Sequence, residues 1–265
     1  MALKNVVQVM NFHSLLRVDK SRRQAKKYSQ MEAMVLDMLD NILNNRNIQL
    51  DLRAMQLDPK KPELQIYLGS DMGFCGNLNN LVRREKRTLD DEVIDVKNII
   101  IGRKLSYVQD ENTILYMTRE EFNKSSEKVV ELLKEAYVKK EYSSFRLIYN
   151  HYRNTSQVDF MDKVILPMPK ELLNSDKNAY KEDFVAEGDM QDLLIGLVKL
   201  YLEYELEIAS NVSVAAENIN RQNITTESLK KIDEREEIRM QEERRAIKDK
   251  EFAKILDNFT KLKYY

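Results

Sequence analysis

The sequence predicts an α/β fold with long helices: an antiparallel coiled coil of the N- and C-terminal segments, with a Rossmann-like α/β domain inserted between them. The chain of 265 residues has only 6 Gly and 4 Pro, and residues 1–58 and 197–265 contain neither. These two residue types interrupt helices most strongly. Apolar residues recur at helical spacing in both end segments, whereas short strand-like apolar runs lie between them. We therefore expect an N-terminal shaft helix (1–58), an α/β head (59–186) and a C-terminal shaft helix (187–265).

The N-terminal segment predicts one helix with an apolar seam. Steps of three and four separate Tyr28, Met31, Val35, Met38 and Ile42, and an earlier apolar face is expected from Leu3, Val6, Val7 and Met10. Such a seam needs a partner helix. A basic run lies between the two groups and includes Arg17, Lys20, Arg22, Arg23 and Lys26. Two interpretations stay open for this run: a solvated helix face, or a basic collar that faces an acidic partner.

The middle segment predicts a small α/β domain. Strands are expected at 64–68, 98–101, 114–117, 145–149 and 164–166, and helices at 77–92 and 119–140. All four prolines fall in this segment. Strands that alternate with helices are typical of a sheet covered by helices.

The C-terminal segment predicts one long helix whose character changes along its length. An apolar stripe runs through Leu194, Leu197, Tyr201, Tyr204, Ile208, Val212, Ala215 and Ile219, and residues 233–251 are mostly charged. A helix that is polar nearly all round is either sheathed by a partner or poorly stable alone. An apolar tip follows at Phe252, Ile255, Leu256, Phe259 and Leu262. Each end segment has a seam without a local partner, so we expect the two to pair antiparallel, with the head beside one end.

Composition excludes several classes of function. Forty-three Lys and Arg nearly cancel 44 Asp and Glu, so the net charge of −1 gives no argument for nucleic acid as a partner. The sequence has no apolar run of about 18 residues, so we expect no membrane insertion. The N-terminus lacks the apolar region of a secretory signal. One Cys and two His exclude a disulfide within the chain and a zinc site rich in these residues. We expect a cytosolic chain with no cofactor, no metal site and no catalytic residue.

The most specific motif is GSDMGFCGNLNN at residues 69–80, between a predicted strand and a predicted helix. A strand–glycine–helix turn can hold a phosphate on backbone N–H groups. However, neither G-x-G-x-x-G nor G-x-x-x-x-G-K-[ST] is present. We prefer a tight structural turn in which close packing needs glycine, and in which Cys75 is a small buried residue. The residues assigned to this turn are Ser70, Asp71, Gly73, Cys75 and Gly76.

The same segment resembles the S-D-R-G-L-C-G-G-[LF]-N-x-N signature of the gamma subunit of F-type rotary ATPases. Counting the variable place, the matching residues are Ser70, Asp71, Gly73, Cys75, Gly76, Leu78, Asn79 and Asn80, whereas Met72, Phe74 and Asn77 depart. Residues 145–152 and 164–167 are similar to the family's strand ending in Tyr-Asn and its later Leu-Leu-Pro. Residues 244–251 resemble R-Q-A-A-I-T-x-E: Arg244, Ala246 and Glu251 match, and the departures include Arg245, Lys248 and Asp249. The resemblance spans nearly the whole chain. The departures within its motifs mark the chain as a divergent member.

The resemblance implies a rotor shaft without catalytic residues of its own. Its implied partners are a hexameric ring of alpha and beta ATPase subunits, an epsilon-type subunit and a membrane rotor ring. Rotation would couple ATP synthesis or hydrolysis to proton transport, with the complex on the cytoplasmic side of the cell membrane and this chain peripheral. Candidate contacts with partners are the basic run at 17–26 together with Arg244, Arg245, Glu251, Phe252, Ile255 and Phe259.

Other functions stay open at this point. A related motor could drive surface gliding instead of ATP synthesis, which only its partners would reveal. An elongated coiled-coil adaptor with an α/β head would share the layout without rotating. An enzyme acting on a small nucleotide is a distant further alternative.

Overall fold

A computed structural model describes residues 2–45, 56–92, 95–153, 158–168 and 188–262. Two long helices, α1 (Ala2–Asn44) and α4 (Met190–Leu262), form the shaft, and the head between them contains a five-stranded sheet. The α/β fold with long terminal helices that the sequence predicts is therefore confirmed. The described part of the N-terminal helix ends at Asn44, and positions 46–55 of the expected segment 1–58 lie outside the described residues.

The two shaft helices pack antiparallel. Lys4 Nζ lies 2.5 Å from a carboxylate oxygen of Asp233, and the ring of Tyr28 lies 6.1 Å from that of Tyr204. Between these levels, the Asn11 side-chain amide donates to the hydroxyl of Thr225 over 2.9 Å. Position numbers therefore rise along α1 as they fall along α4, as expected for a chain that leaves and re-enters the shaft at the head.

The seam of α1 differs from the predicted one. The residues that α1 buries are spaced by three, by four or by sums of these steps: Val7, Ser14, Val18, Ser21, Ala25, Val35, Leu39 and Ile42. Leu3 and Val6 are 69% and 56% exposed, and Met38 is 47% exposed while Leu39 is fully buried. The prediction was wrong at Leu3, Val6 and Met38, and it missed the buried Ser14, Ser21 and Ala25 in the middle of α1. These residue types carry little signal in an apolar pattern.

The head is a mixed sheet with helices on both faces. Its strand order is β3-β2-β1-β4-β5, with β5 antiparallel to β4 and the other pairs parallel. The strands are β1 (Glu63–Leu68), β2 (Val96–Ile101), β3 (Thr113–Met117), β4 (Ser144–Tyr152) and β5 (Val158–Leu166). The helices are α2 (Leu78–Glu92), α3 (Arg119–Val138) and a 3₁₀ helix (Arg103–Val108). Each strand and helix expected for the head is present, and all five strands are longer than predicted.

Head and shaft share one hydrophobic core. Along β1, Leu64, Ile66 and Leu68 face a cluster that also contains Leu39 of α1 and Tyr201 of α4. The alternate residues of a strand point to the opposite face of the sheet, and there Tyr67 packs with α2 and the 3₁₀ helix. Residues 194–212 of α4 form part of the core of the head. This part of the shaft therefore cannot move against the sheet without exposing apolar surface.

The upper part of α4 extends beyond the end of α1. The described side chains from position 237 to position 258 are exposed, and α1 reaches only to the level of Asp233 and Glu236, which both pair with Lys4. At about 1.5 Å per residue, the helix extends roughly 39 Å beyond Glu236. Within the described residues, no helix has the length and hydropathy needed to span a membrane.

Candidate functional site: the junction of head and shaft

The predicted turn lies where the head meets α4. We call three segments together the junction: the turn at 69–77, the first turn of α3, and residues 210–221 of α4. Asn79 holds the start of the turn, because its side chain accepts from Ser70 N over 3.0 Å and donates to Ser70 Oγ over 2.8 Å. Cys75 is buried, with its sulfur 3.4 Å from Ser70 Oγ. The thiol is thus enclosed among polar groups of the turn.

Asp71 joins three backbone segments. Its carboxylate accepts from the backbone N–H groups of Arg103 over 2.7 Å, Arg119 over 2.9 Å and Glu120 over 3.1 Å. Burial acts to raise the pKa of Asp71, but the three backbone donors together outweigh burial and hold this pKa below its ordinary value. The amides at the start of α3 are therefore occupied by a carboxylate of the chain, which disfavours a phosphate at that helix end.

Two glycines let the ends of β1 and β2 come together. A Cβ on Gly102, whose φ is +131°, would lie 2.7 Å from the carbonyl carbon of Gly69. A Cβ on Gly69 would lie 2.6 Å from the side chain of Leu105. Gly102 was not singled out from the sequence, and Gly69, the first residue of the motif, was not among the residues assigned to the turn. Their positions in the sequence could have indicated this role, since each glycine directly follows a predicted strand.

The two glycines assigned to the turn, Gly73 and Gly76, differ in whether the structure requires a residue without a side chain. Gly76 has φ +61°, and a Cβ there would lie 3.0 Å from the side-chain amide nitrogen of Asn220. Gly73 has open space around the position of a Cβ, with nothing within 4 Å, so close packing does not require glycine there. The packing reason predicted for Gly73 was wrong, because its side of the turn faces outward.

Polar side chains of α4 hold the turn from the shaft side. Asn220 donates to the carbonyl of Cys75 over 3.0 Å, and Arg221 donates to the carbonyl of Gly73 over 3.1 Å. Arg221 is itself buried and ion-paired with Glu217. The turn is thus hydrogen-bonded to α4, whose residues from position 237 to position 262 we call the upper shaft.

Arg119 is a buried cation of the junction and was not identified from the sequence. Its guanidinium donates to Ser210 Oγ over 3.0 Å, Ser213 Oγ over 3.2 Å and the carbonyl of Gly69 over 3.2 Å. Burial lowers the pKa of Arg119, although Glu217, Asp71 and Glu207 act in the opposite direction. No signal in the pattern distinguished it, because an Arg at the start of a helix is ordinarily solvated.

A cleft of about 770 Å³ opens beside the junction, between α1, α3 and α4. Its walls carry both signs of charge, including Arg17 and Lys20 from α1, Asp71 from the turn, and Glu207 and Glu217 from α4. Burial is the main cause that raises the pKa of Glu207. The mixture of charges does not select a ligand of one sign.

The predicted basic run does not form one patch. Arg17 and Lys20 line the cleft, and Arg22 lies over the ring of Tyr152 at 4.6 Å from its centroid. Arg23 approaches Asp19 at 3.5 Å, and Lys26 is exposed. The run therefore divides between the head, a local ion pair and solvent.

The second group of contact candidates lies on the upper shaft. Arg244, Arg245, Glu251, Phe252 and Ile255 are all exposed on α4, beyond the end of α1. The side chain of Phe259 lies outside the described residues. The basic run and this group occupy different levels of the shaft, so the fold does not bring them into one site. Across the described ranges, no cluster of three His, Cys, Asp or Glu side chains is placed to hold a metal ion.

Comparisons with known proteins agree with this architecture. The ATP synthase family model (ATP-synt) matches residues 2–255. An ATP synthase gamma chain of Sulfurovum sp. is 25% identical over 240 residues, which cover 82% of this chain and 78% of the relative. An ATP synthase gamma chain of Pelagibacter ubique is 23% identical over 228 residues, covering 78% of this chain and 74% of the relative. A chain of the central stalk/c-ring structure of Tetrahymena thermophila mitochondrial ATP synthase shares the fold, with TM-score 0.61, 18% identity, and coverage of 84% of this chain and 99% of that one. This chain belongs to the gamma-chain family of ATP synthases.

Proposed function

We propose that this chain is the central-stalk rotor subunit of an F-type ATPase. It turns inside a hexameric ring of alpha- and beta-type subunits and couples ATP synthesis or hydrolysis to proton transport. The observation that carries this proposal is the upper part of α4, a single helix that leaves a firmly bonded junction and extends beyond the other described residues of its chain.

The surface of that helix supports a sheath of other subunits. Apolar side chains at Ile238, Ile247, Phe252 and Ile255 are each more than half exposed, among many charged residues. Solvent exposure of this kind is unfavourable for a lone helix, which is expected to be covered by a partner. In the proposed complex the ring supplies this cover, with Arg244 and Arg245 near acidic loops and the tip from Phe252 to Phe259 in an apolar collar.

The same surface suits sliding. Exposed ion pairs contribute only about 0–1 kcal/mol each, so contacts can exchange as the shaft turns. The charged residues at 242–251 offer many such weak contacts and few that interlock. Because the single helix is asymmetric, each beta-type subunit meets a different face of it, and its open and closed states then differ in energy.

The junction suits the transmission of torque. Rotation at the ring and at the membrane can be coupled only if the head does not slip against the shaft. The hydrogen bonds of Arg119, Asp71 and Arg221, together with the shared core, resist such slip. We assign the ATP chemistry to the ring, and contacts with an epsilon-type subunit and a membrane rotor ring to the head. The chain would then be peripheral, on the cytoplasmic side of the cell membrane.

Purification of the native complex tests this proposal. A tag on this chain, followed by native mass spectrometry, should recover one copy of it with three copies each of alpha- and beta-type subunits. Recovery of the chain alone, or in complexes without nucleotide-binding subunits, would contradict the rotor function and favour an adaptor.

A further inference from the structure

Arg119 is a buried cation that has no carboxylate beside it. Only 5% of the residue is exposed, and the groups that accept from it, the hydroxyls of Ser210 and Ser213 and the carbonyl of Gly69, are all neutral. Across the described part of the chain, no Asp or Glu oxygen lies within 4 Å of its guanidinium nitrogens, and its buried Nε has no acceptor. Buried charges are ordinarily paired with an opposite charge. The described residues therefore leave this guanidinium without a paired anion.

Three further cations line the same cleft as Arg119, between α1, α3 and α4. We call them the outer cations: Arg17 and Lys20 of α1, and Arg103 of the 3₁₀ helix. All three are exposed, and none has a carboxylate oxygen within 4 Å among the residues that the structure describes. The cleft thus presents one enclosed and three exposed positive charges that no ion pair occupies.

The carboxylates of the cleft are less available than its cations. Four of them line it, so a count of charges alone favours neither sign. However, Glu120 pairs with Lys124 at 2.7 Å, and Glu217 pairs with an arginine of its own helix, and neither of these two cations lines the cleft. Only Asp71 and Glu207 remain to balance the four cations, so two positive charges stay uncompensated.

We propose that this cleft binds a phosphate group, with Arg119 as the inner donor and the outer cations around it. A phosphate dianion matches the two uncompensated positive charges, whereas a single carboxylate supplies only one negative charge. Guanidinium groups suit phosphate because their fixed N–H donors can bond two of its oxygens at once. The cleft volume of about 770 Å³ also leaves room for the rest of a small phosphorylated molecule. A free phosphate ion and a phosphorylated metabolite are therefore the two sources to distinguish.

A phosphate in this cleft would connect the shaft to the head. Arg17 and Lys20 belong to α1, whereas Arg103 follows β2 and Arg119 begins α3. At this level α1 buries Ser21, a small residue that contributes little apolar contact. The ligand would thus hold α1 against the head where packing between them is weak. This inference goes beyond the proposed rotor function and does not depend on it.

Equilibrium dialysis of the full chain against radiolabelled inorganic phosphate tests the site. At about pH 8 a phosphate group is mostly dianionic, and sodium chloride keeps the ionic strength constant. We expect saturable binding of one phosphate per chain. Arg17→Met combined with Lys20→Met should weaken it by about tenfold or more. Arg23→Met combined with Lys26→Met removes the same charge from exposed positions of α1 outside the cleft and should change it little. Absence of saturable binding, or equal weakening by both pairs, would overturn the proposal.

Nitrogen NMR tests whether Arg119 takes part. In the ¹⁵N-labelled chain, the Nε–H signal of Arg119 is identified by its loss in Arg119→Lys. Addition of phosphate should shift this signal with the same midpoint as the dialysis, because Nε then gains an acceptor. An unchanged signal at saturating phosphate would place the ion elsewhere and overturn the proposal. The dialysis test does not depend on the folding of the Arg119 variant.

Competition against labelled phosphate identifies the source of the phosphate group. Displacement by ADP at a concentration about tenfold or more below that of unlabelled phosphate would support a phosphorylated molecule as the ligand, and weaker displacement would support the free ion. Succinate, a dianion that carries carboxylates only, should compete about tenfold less well than phosphate. Equal competition by succinate would overturn the assignment to phosphate. These measurements use the chain without partners, so their failure leaves the purification result for the rotor function unaffected.

Discussion

The Arg119 guanidinium of α3 donates a hydrogen bond to the Ser210 hydroxyl of α4 over 3.0 Å, with only 5% of Arg119 exposed. This bond joins the head to α4 at the junction, below the upper shaft. A hydrogen bond to a charged group contributes about 1.5–3 kcal/mol. Arg119 also reaches Ser213 and the carbonyl of Gly69, so one side chain links helix α3, helix α4 and the end of β1.

Replacement of Arg119 should weaken the junction strongly. Arg119→Met keeps most of the apolar length but removes all three hydrogen bonds, and it should lower the free energy of unfolding by about 3 kcal/mol. Urea unfolding followed by circular dichroism measures this change. Arg103→Met at an exposed position is the matched control and should change stability by less than about 0.5 kcal/mol. Equal effects of the two variants would contradict the role assigned to Arg119.

Asp71 should stabilise the junction in a pH-dependent way. Asp71→Ala removes the acceptor for three backbone N–H groups and should cost about 2 kcal/mol at pH 7. The pKa of Asp71 is below its ordinary value, so its contribution is present above the unfolded value of about 3.9 and is lost as pH falls below it. Denaturant unfolding at several pH values should show the gap between wild type and variant narrowing below about pH 4. A gap that stays constant down to pH 2 would contradict this account.

Two glycine-to-alanine variants should have effects of opposite sign. Gly102→Ala places a Cβ 2.7 Å from backbone at a positive φ and should destabilise the chain by about 3 kcal/mol or more. Gly196→Ala lies within α4 with nothing within 4 Å of the new Cβ and should stabilise it by about 0.5–1 kcal/mol. Thermal unfolding of the two variants is the measurement. A stabilising Gly102→Ala would show that β1 and β2 do not approach as described.

Arg244 and Arg245 on the upper shaft should affect ATP hydrolysis by the complex but not the stability of the isolated chain. Arg244→Glu combined with Arg245→Glu reverses two exposed charges and should leave the unfolding of the isolated chain unchanged within about 0.5 kcal/mol. In the proposed complex, it should lower ATP hydrolysis several-fold, because acidic loops of the ring would then be repelled. Lys230→Glu combined with Lys231→Glu, lower on the same helix, is the charge-matched control. Equal losses in both double variants would argue against a specific contact at Arg244 and Arg245.

The spacing of apolar residues in the sequence predicted the order of helices and strands well. It predicted the side-chain contacts of the junction poorly. Uninterrupted helical spacing and short apolar runs located both shaft helices and every strand of the head. The seam of α1 was predicted correctly at Val35 and Ile42 but was incomplete, because Ser14, Ser21 and Ala25 occupy positions where an apolar pattern expects larger residues. Arg119 could not be found, since its burial results from contacts with Ser210 and Ser213, which lie about 90 residues away along the chain. Contacts of that kind depend on tertiary packing and leave no local period in the sequence.

Rotation of the head relative to the ring tests the central claim most directly. Tyr107 is 58% exposed on the head, and the chain's one cysteine, Cys75, is buried, so Tyr107→Cys accepts a probe selectively. The complex would be immobilised through its beta-type subunits and supplied with ATP. The rotor function predicts that the probe turns in one direction and stops when ATP is removed. A probe that stays fixed while the ring hydrolyses ATP would contradict it.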